Sequence, residues 1–147
     1  MKKMLAIILS LSMIICCTAA INADEDAIVY KSLNQIAEKD INYVSAYNIV
    51  GNPKEYDGKK VRVVGLLEYD ISSAALYVST ESQQLGITKN AIWCKITPTT
   101  LKTNYDGMKK LNGKFVMIEG VLNAENSGHT DKYSAAIEGI TKIQEWK

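Results

Sequence analysis

From residue 59 onward, apolar and polar side chains alternate with a period of two, which is typical of strands that bury one face. The alternation is clearest where Val61 and Val63 stand between the polar residues Lys60 and Arg62. It predicts five strands, at about residues 59–69, 76–78, 92–96, 114–123 and 134–146.

Three other stretches repeat their apolar residues every three or four positions, as helices do. The first two lie at residues 24–40 and 41–50, and the third follows Pro98, between the third and fourth strands. Gly51-Asn52-Pro53 and Asn112-Gly113 stand where the second and third helices should end. The three stripes are Val29, Leu33 and Ile36; Val44, Tyr47 and Val50; and Leu101, Tyr105, Met108 and Leu111.

One turn-and-strand pattern occurs twice, at residues 56–67 and again at residues 111–122. Its turn contains a glycine, and so does the middle of its strand, where glycine permits the sharp bend that a small barrel needs. We therefore expect these glycines to determine the fold and the two bent strands to be related by approximate symmetry. The glycines are Gly58 and Gly65 in the first copy and Gly113 and Gly120 in the second.

Three strands, a helix and two further strands follow the order of the five-stranded OB-type barrel. In addition, residues 52–65, residues 86–93, Gly128-His129 and Tyr133-Ser134 resemble segments of small exported bacterial OB-fold proteins that form a largely uncharacterised family. The resemblance extends over about residues 44–146. It implies a mainly β chain with helices, in which an OB-like barrel at 44–147 follows an amino-terminal helix or helices, and it supplies no catalytic residues.

The start of the chain has the order of a secretory signal. Two lysines precede an uncharged run, Met4–Cys17, and small residues up to Ala23 stand before Asp24. This run is shorter than the roughly 18 residues that a spanning helix needs. We predict a signal peptide at residues 1–23 and a helical segment at 24–43. The protein would then be exported, periplasmic or secreted, with no membrane span after cleavage.

The cysteines leave one alternative address, a lipoprotein anchored through Cys16 or Cys17. Without the signal peptide, Cys94 is the single cysteine and His129 the single histidine. No internal disulfide can then form, and neither a metal site of nitrogen and sulfur ligands nor a cofactor is expected. Cys94 stands in an apolar strand pattern, which predicts a core residue.

The charge balance gives no indication of an anionic partner. Loss of the two leading lysines reduces 17 basic residues to 15, against 16 acidic residues, a net charge of −1. Such a chain has no general attraction for nucleic acid or anionic lipid. Because export also separates the protein from most nucleic acid, we do not expect nucleic acid as a partner.

The expected binding surface is the outer face of the second and third strands, where OB-folds often bind ligands together with the loop between strands four and five. If Cys94 points inward, its neighbours Trp93 and Lys95 point outward, and aromatic rings on that face could stack on a flat ligand. The alternative is that the amino-terminal helix covers this face and makes Trp93 a core residue. The candidate ligand-binding residues are Tyr77, Trp93, Lys95, His129 and Tyr133.

These observations favour a small exported binding module, and not an enzyme, whose ligand is a small molecule, a glycan or an envelope protein. One alternative is an envelope enzyme or inhibitor centred on His129 as a general base. Another is a structural protein that docks through its amino-terminal helix. The pattern specifies neither the ligand nor the oligomeric state.

Overall fold

The alternating sequence forms a mainly β structure in the computed structural model, which describes residues 40–70, 72–96 and 105–147. The predicted signal peptide, with Cys16 and Cys17, lies outside the described residues. So does the helix predicted at 24–40, apart from its last residue. The described residues from Ile41 to Lys147 belong to one unit.

Six strands and three short helices make up the described part of the chain. The strands are β1 Asn42–Tyr43, β2 Lys60–Asp70, β3 Ser73–Tyr77, β4 Ala91–Cys94, β5 Phe115–Asn123 and β6 Ala136–Glu145. The helices are α1 Ala46–Gly51, α2 Thr80–Gln84 and α3 Tyr105–Lys109. Single 3-10 turns occur at Pro53–Tyr56, Thr88–Asn90 and His129–Asp131.

The six strands form one mixed sheet in the order β1-β2-β3-β4-β6-β5, and β2 also pairs with β5. β1 is parallel to β2 and β4 is parallel to β6, whereas the other pairs are antiparallel. The prediction of a mainly β domain with helices is confirmed. The sheet, however, has six strands in place of the five that were expected.

The additional strand comes from a segment whose predicted structure was wrong at its start. Residues 41–50 were expected to be helical, but Asn42 and Tyr43 pair with Val61 and Arg62 of β2. The helix α1 begins only after Ser45, whose hydroxyl accepts a hydrogen bond from the backbone N–H of Tyr47 and so caps the helix. Pairing with a distant strand here overrides the local helical pattern.

The inner face of the sheet buries the residues that the period-two pattern had assigned to it. Val61, Val63 and Leu67 of β2 pack with Leu76 of β3 and Ile92 of β4 in one cluster, and each is at most 1% exposed. Cys94 belongs to the same cluster, so its predicted core position is confirmed. Burial raises the pKa of the Cys94 thiol to about 12, which keeps it protonated and unreactive near neutral pH.

The two copies of the glycine pattern make equivalent hydrogen bonds. The backbone N–H of Gly58 donates to the carbonyl of Leu122 at 2.9 Å, and that of Gly113 donates to the carbonyl of Leu67 at 2.8 Å. In the ladder between β2 and β5, Gly65 pairs with Val116 as Gly120 pairs with Val61. The expected symmetry of the two strands is therefore present.

The four glycines serve two different needs. Gly58 and Gly113 have φ of 69° and 75°, a left-handed conformation that a side chain would disfavour. Gly65 and Gly120 allow close approach, because a Cβ there would lie 2.7 Å from the Tyr77 carbonyl oxygen or 2.8 Å from that of Glu138. Both mid-strand glycines therefore lie where another strand crosses at short range.

Candidate functional site

The outer side of β3 and β4 carries a second apolar cluster, separate from the main core. Tyr77 lies between Leu66 and Ala91 on the neighbouring strands, and Trp93 lies opposite Ala75. Alternation along the strands places Tyr77 and Trp93 on this side, as the sequence had predicted. The buried members of the cluster are Leu66, Ala75, Tyr77, Ala91 and Tyr133, and Trp93 packs against them.

The outer cluster is less accessible than the sequence suggested, because the connector between β5 and β6 lies against it. Tyr77 is 2% exposed and Tyr133, from that connector, is 8% exposed. Burial raises the pKa of the Tyr77 hydroxyl above its usual value, and the charges of Glu68 and Tyr133 add to this shift. Tyr77 and Tyr133 therefore support this face from beneath and offer little area to a ligand.

Gly128 fits the connector onto the aromatic rings. Its φ is 72°, and a Cβ at this position would lie 2.8 Å from Cδ2 of Tyr133 and 2.9 Å from Cγ of Trp93. The Nζ of Lys89 fixes the far end of the connector, since it donates to the carbonyls of Asp131 at 2.8 Å and Tyr133 at 3.0 Å. The connector is thus held by both packing and hydrogen bonds.

What remains accessible on this face is an aromatic pair and a cation. The imidazole of His129 is exposed and meets the half-buried indole of Trp93 edge to face, with ring centroids 5.4 Å apart. Lys95 is exposed on the continuation of β4, two residues beyond Trp93 and on the same side. The structure therefore brings Tyr77, Trp93, His129 and Tyr133 into one cluster, and Lys95 extends the same face. We call Trp93, His129 and Lys95 the indole face.

The backbone beside His129 is unusual. Thr130 and Asp131, which complete the 3-10 turn, have φ of 63° and 52°, although neither is glycine. A left-handed conformation costs a non-glycine residue free energy and is found disproportionately at ligand-binding positions. Both residues directly follow His129, whose imidazole contacts Trp93, and the hydrogen bond from Lys89 to the Asp131 carbonyl stabilises this turn.

Neither metal coordination nor a membrane helix is apparent in the described part of the chain. Among residues 40–70, 72–96 and 105–147, no three His, Cys, Asp or Glu side chains are grouped as metal ligands would be. Within those same ranges, no helix has both the length and the apolar character needed to cross a bilayer.

A second outer face, on β2, β5 and β6, contains residues that the sequence reasoning did not select. Arg62 lies over the ring of Tyr43, its guanidinium carbon 4.5 Å from the ring centroid, and forms an ion pair with Glu119 at 2.6 Å. Trp146, beyond the end of β6, is 54% exposed on the same side. The period-two pattern does place Arg62 and Glu119 on outer positions, but it does not reveal that Tyr43 joins them.

Comparisons with known proteins find similar solved structures, including the following two, and no sequence match. A DUF3299 family protein (PA4066) from Pseudomonas aeruginosa PAO1 matches 64% of this chain and 65% of its own, with 14% identity and a TM-score of 0.46. The asparaginyl-tRNA synthetase from Pyrococcus horikoshii, complexed with asparaginyl-adenylate, matches 62% of this chain and 20% of its own, with 16% identity and a TM-score of 0.39. No protein-family model matches the chain, and no curated protein does.

Proposed function

We propose that this chain is a small exported binding module built on an OB-type barrel. The strand pairings support the barrel, because β2, β3, β4, β6 and β5 each pair with the next and β5 pairs back to β2. The parallel pair of β4 and β6 and the helix α3 before β5 suit the same architecture. In this interpretation β1 is an addition that pairs with the outside edge of β2.

The proposed address rests on the amino-terminal sequence. Lysines, an uncharged run and small residues precede Asp24 in the order of a cleaved secretory signal. Intact-mass measurement on secreted or periplasmic protein is expected to give a chain that starts at Asp24. A mass that includes acyl chains on Cys16 or Cys17 would instead establish the lipoprotein alternative.

The indole face is the proposed binding surface, and one observation carries this proposal. An exposed imidazole meets a half-buried indole on an outer face of the sheet, on a rigid base formed by Tyr77 and Tyr133. Rings held in this way offer contact area without the loss of much side-chain entropy on binding. Lys95 adds a cation at the edge, so the face suits a ligand with a flat ring, such as a sugar or a small aromatic molecule.

The accessibility of Trp93 tests this surface directly. In Trp146→Phe protein, Trp93 is the single tryptophan, since the chain contains two. We expect acrylamide to quench its emission partly, and His129→Ala to increase that quenching because the imidazole shields one edge of the indole. Blue-shifted emission that resists acrylamide in both proteins would show Trp93 to be a core residue and would refute the surface.

Ligand binding is tested in the same Trp146→Phe protein with two ring-bearing probes, tri-N-acetylglucosamine and adenosine. Stacking on an indole contributes roughly 1–3 kcal/mol per ring, so at least one probe should change the emission of Trp93 in a saturable way. His129→Ala and Lys95→Ala should weaken that response. An accessible Trp93 that responds to neither probe would contradict ring stacking as the function of this face.

A further inference from the structure

We propose a second ligand site, unrelated to the indole face, in the groove between Tyr43 and Trp146. The groove has a volume of about 370 Å³, and its wall residues include Tyr43, Val44 and Trp146. Its floor contains Met117, which is 3% exposed, whereas Tyr43 is 71% and Trp146 54% exposed. Two projecting rings and a recessed apolar floor form a cleft for a flat apolar group. We call it the Tyr43–Trp146 groove.

Tyr43 is held in place at this groove by the strand that the sequence did not predict. β1 pairs with β2 so that Tyr43 stands beside Arg62. The guanidinium lies over the tyrosine ring and contacts its hydroxyl. Attraction between the cation and the aromatic face stabilises this arrangement, so this wall of the groove is formed without a ligand.

The charges at the groove favour an anionic ligand. Arg62 and Lys142 both face one carboxylate, that of Glu119, at 2.6 Å and 3.8 Å. Arg62 lines the groove, and Lys142 stands beside it across the shared carboxylate of Glu119. The side chain of Lys142 is 48% exposed, so its ammonium group can be reached by a second anion.

The ligand class follows from the shape and the charge. A volume of about 370 Å³ lies near the lower end of the range for small-molecule sites, so it accommodates one compact molecule. The rings select a planar apolar group, and the exposed ammonium group of Lys142 selects a carboxylate or similar anion beside it. The Tyr43–Trp146 groove is therefore a site for a small aromatic acid. A bilayer would suit a convex patch better than a recessed floor.

A matched pair of fluorescent probes separates the two parts of this proposal. The first probe, 1-anilinonaphthalene-8-sulfonate, has planar rings and an anionic group, and N-phenyl-1-naphthylamine has the same rings without the charge. With the purified full chain, we expect saturable binding of the sulfonate probe at one site. Lys142→Gln should weaken it by roughly two- to fivefold, the effect of a half-exposed ion contact, and leave the uncharged probe unchanged.

Two substitutions, Tyr43→Ala and Trp146→Ala, test the aromatic walls. Each should lower the affinity for both probes about tenfold or more, as loss of a central aromatic contact does. Tyr47→Ala is the matched control, because Tyr47 is 61% exposed but does not line the groove. Thermal melts establish that each variant is folded. Backbone NMR shifts locate the sulfonate probe, and they should be largest at Tyr43, Arg62 and Met117.

Three results would overturn the site. If Tyr43→Ala and Tyr47→Ala lower the probe affinity equally, the rings of Tyr43 and Trp146 do not form the binding site. Probe-induced shifts confined to Trp93 and His129 would assign the probe to the indole face. Finally, Trp93→Phe protein leaves Trp146 as the emitter. If vesicles of mixed phosphatidylcholine and phosphatidylglycerol shift the Trp146 emission of this variant to the blue, and the protein does not bind the sulfonate probe, this face is a membrane contact.

Discussion

The indole face and the Tyr43–Trp146 groove lie on the outside of one sheet, and they differ in what covers their aromatic residues. Beside the indole face, the connector between β5 and β6 packs on the rings, so Tyr77 is 2% exposed. At the groove, Tyr43 and Trp146 stay 71% and 54% exposed around a buried ion pair. An outward strand position therefore indicates which side a residue occupies, and the connectors decide whether that side is open.

The two faces also differ in what holds them together. The indole face rests on apolar packing, with Gly128 fitted between Trp93 and Tyr133. The groove rests on the pair of Arg62 and Glu119, whose side chains are 14% and 10% exposed. Apolar contacts tolerate small shifts, but an ion pair at this depth depends on both partners. Substitutions that remove one support at a time should therefore give effects of very different size.

The largest expected effect comes from Arg62→Ala. It removes the nearer cation from the buried Glu119 and leaves Lys142 at 3.8 Å. Loss of one partner of a buried ion pair costs roughly 3–5 kcal/mol, and the remaining cation places this loss at the lower end, about 3 kcal/mol. Urea denaturation should show this loss in the free energy of unfolding. The double variant Arg62→Met with Glu119→Leu is the control, and it should recover most of the stability. A double variant as unstable as Arg62→Ala would show that the cost is not electrostatic.

The next largest effect is expected at Gly65, which lies where the two faces meet. β2 pairs with β5 up to Leu66 and with β3 from Leu66 onward, so Gly65 lies at the change of partner. A Cβ there would lie 2.7 Å from the Tyr77 carbonyl oxygen and 2.7 Å from Cγ of Leu76. Gly65→Val should destabilise by about 2–3 kcal/mol, the upper part of the overpacking range.

The control for this substitution is Gly51→Ala, because Gly51 ends α1 and has no neighbour within 4 Å of an added Cβ. Denaturant midpoints for both variants give the comparison. A Gly65→Val midpoint that matches the one for Gly51→Ala would mean that β2 and β3 separate at little cost. The shared boundary of the two faces would then not be rigid.

A smaller effect distinguishes packing from backbone strain on the indole face. Gly128 and Gly86 have similar φ, 72° and 64°, but an added Cβ meets two aromatic rings at Gly128 and nothing within 4 Å at Gly86. Gly128→Ala should therefore destabilise by about 1 kcal/mol more than Gly86→Ala, the lower limit of overpacking. The emission of Trp93, read in Trp146→Phe protein, should also shift to the red for Gly128→Ala alone. Equal effects of the two substitutions would show that the connector is not packed on the rings.

The smallest effect belongs to the exposed ion pair near Trp146. A hydrogen bond from Lys114 at 2.9 Å lowers the pKa of Glu145 below its ordinary value. A carboxyl whose pKa is lower in the folded state stabilises the fold above the unfolded pKa, and this contribution is lost as the pH falls through the folded pKa. Lys114→Gln should raise the pKa of Glu145 in an NMR titration. The melting temperature at neutral pH should not change, because exposed pairs contribute little.

The sequence predicted the strands well, since their alternation reports burial directly. The strand expected at 59–69 is β2 at Lys60–Asp70, and the one expected at 114–123 is β5 at Phe115–Asn123. The helix α2 was not predicted, because its residues Thr80–Gln84 have no apolar stripe. Ser79 caps it and the loop around it supports it, through contacts that a hydropathy pattern does not reveal.

The candidate sites were less predictable because each depends on residues far apart in the chain. Period two places Trp93 on the outer side correctly, but its cover, Gly128 and Tyr133, belongs to a polar connector with no strand or helix pattern. Tyr43 reaches Arg62 only through the two-residue strand β1, which is too short to leave a pattern. Whether the amino-terminal helix covers Trp93 is a prediction that lies outside the described residues.

The ladder between β2 and β5 has a consequence for the time course of folding. Lys60 pairs with Val121, so the first half of β2 gains its antiparallel partner only across a loop that contains most of the domain. Contacts between residues so distant in sequence form late and slowly, because the chain loses entropy before it gains them. During synthesis, β2 emerges long before β5, and its apolar edge stays open to other chains in that interval. Refolding yield should therefore fall with protein concentration more steeply than the stability of the finished domain would suggest.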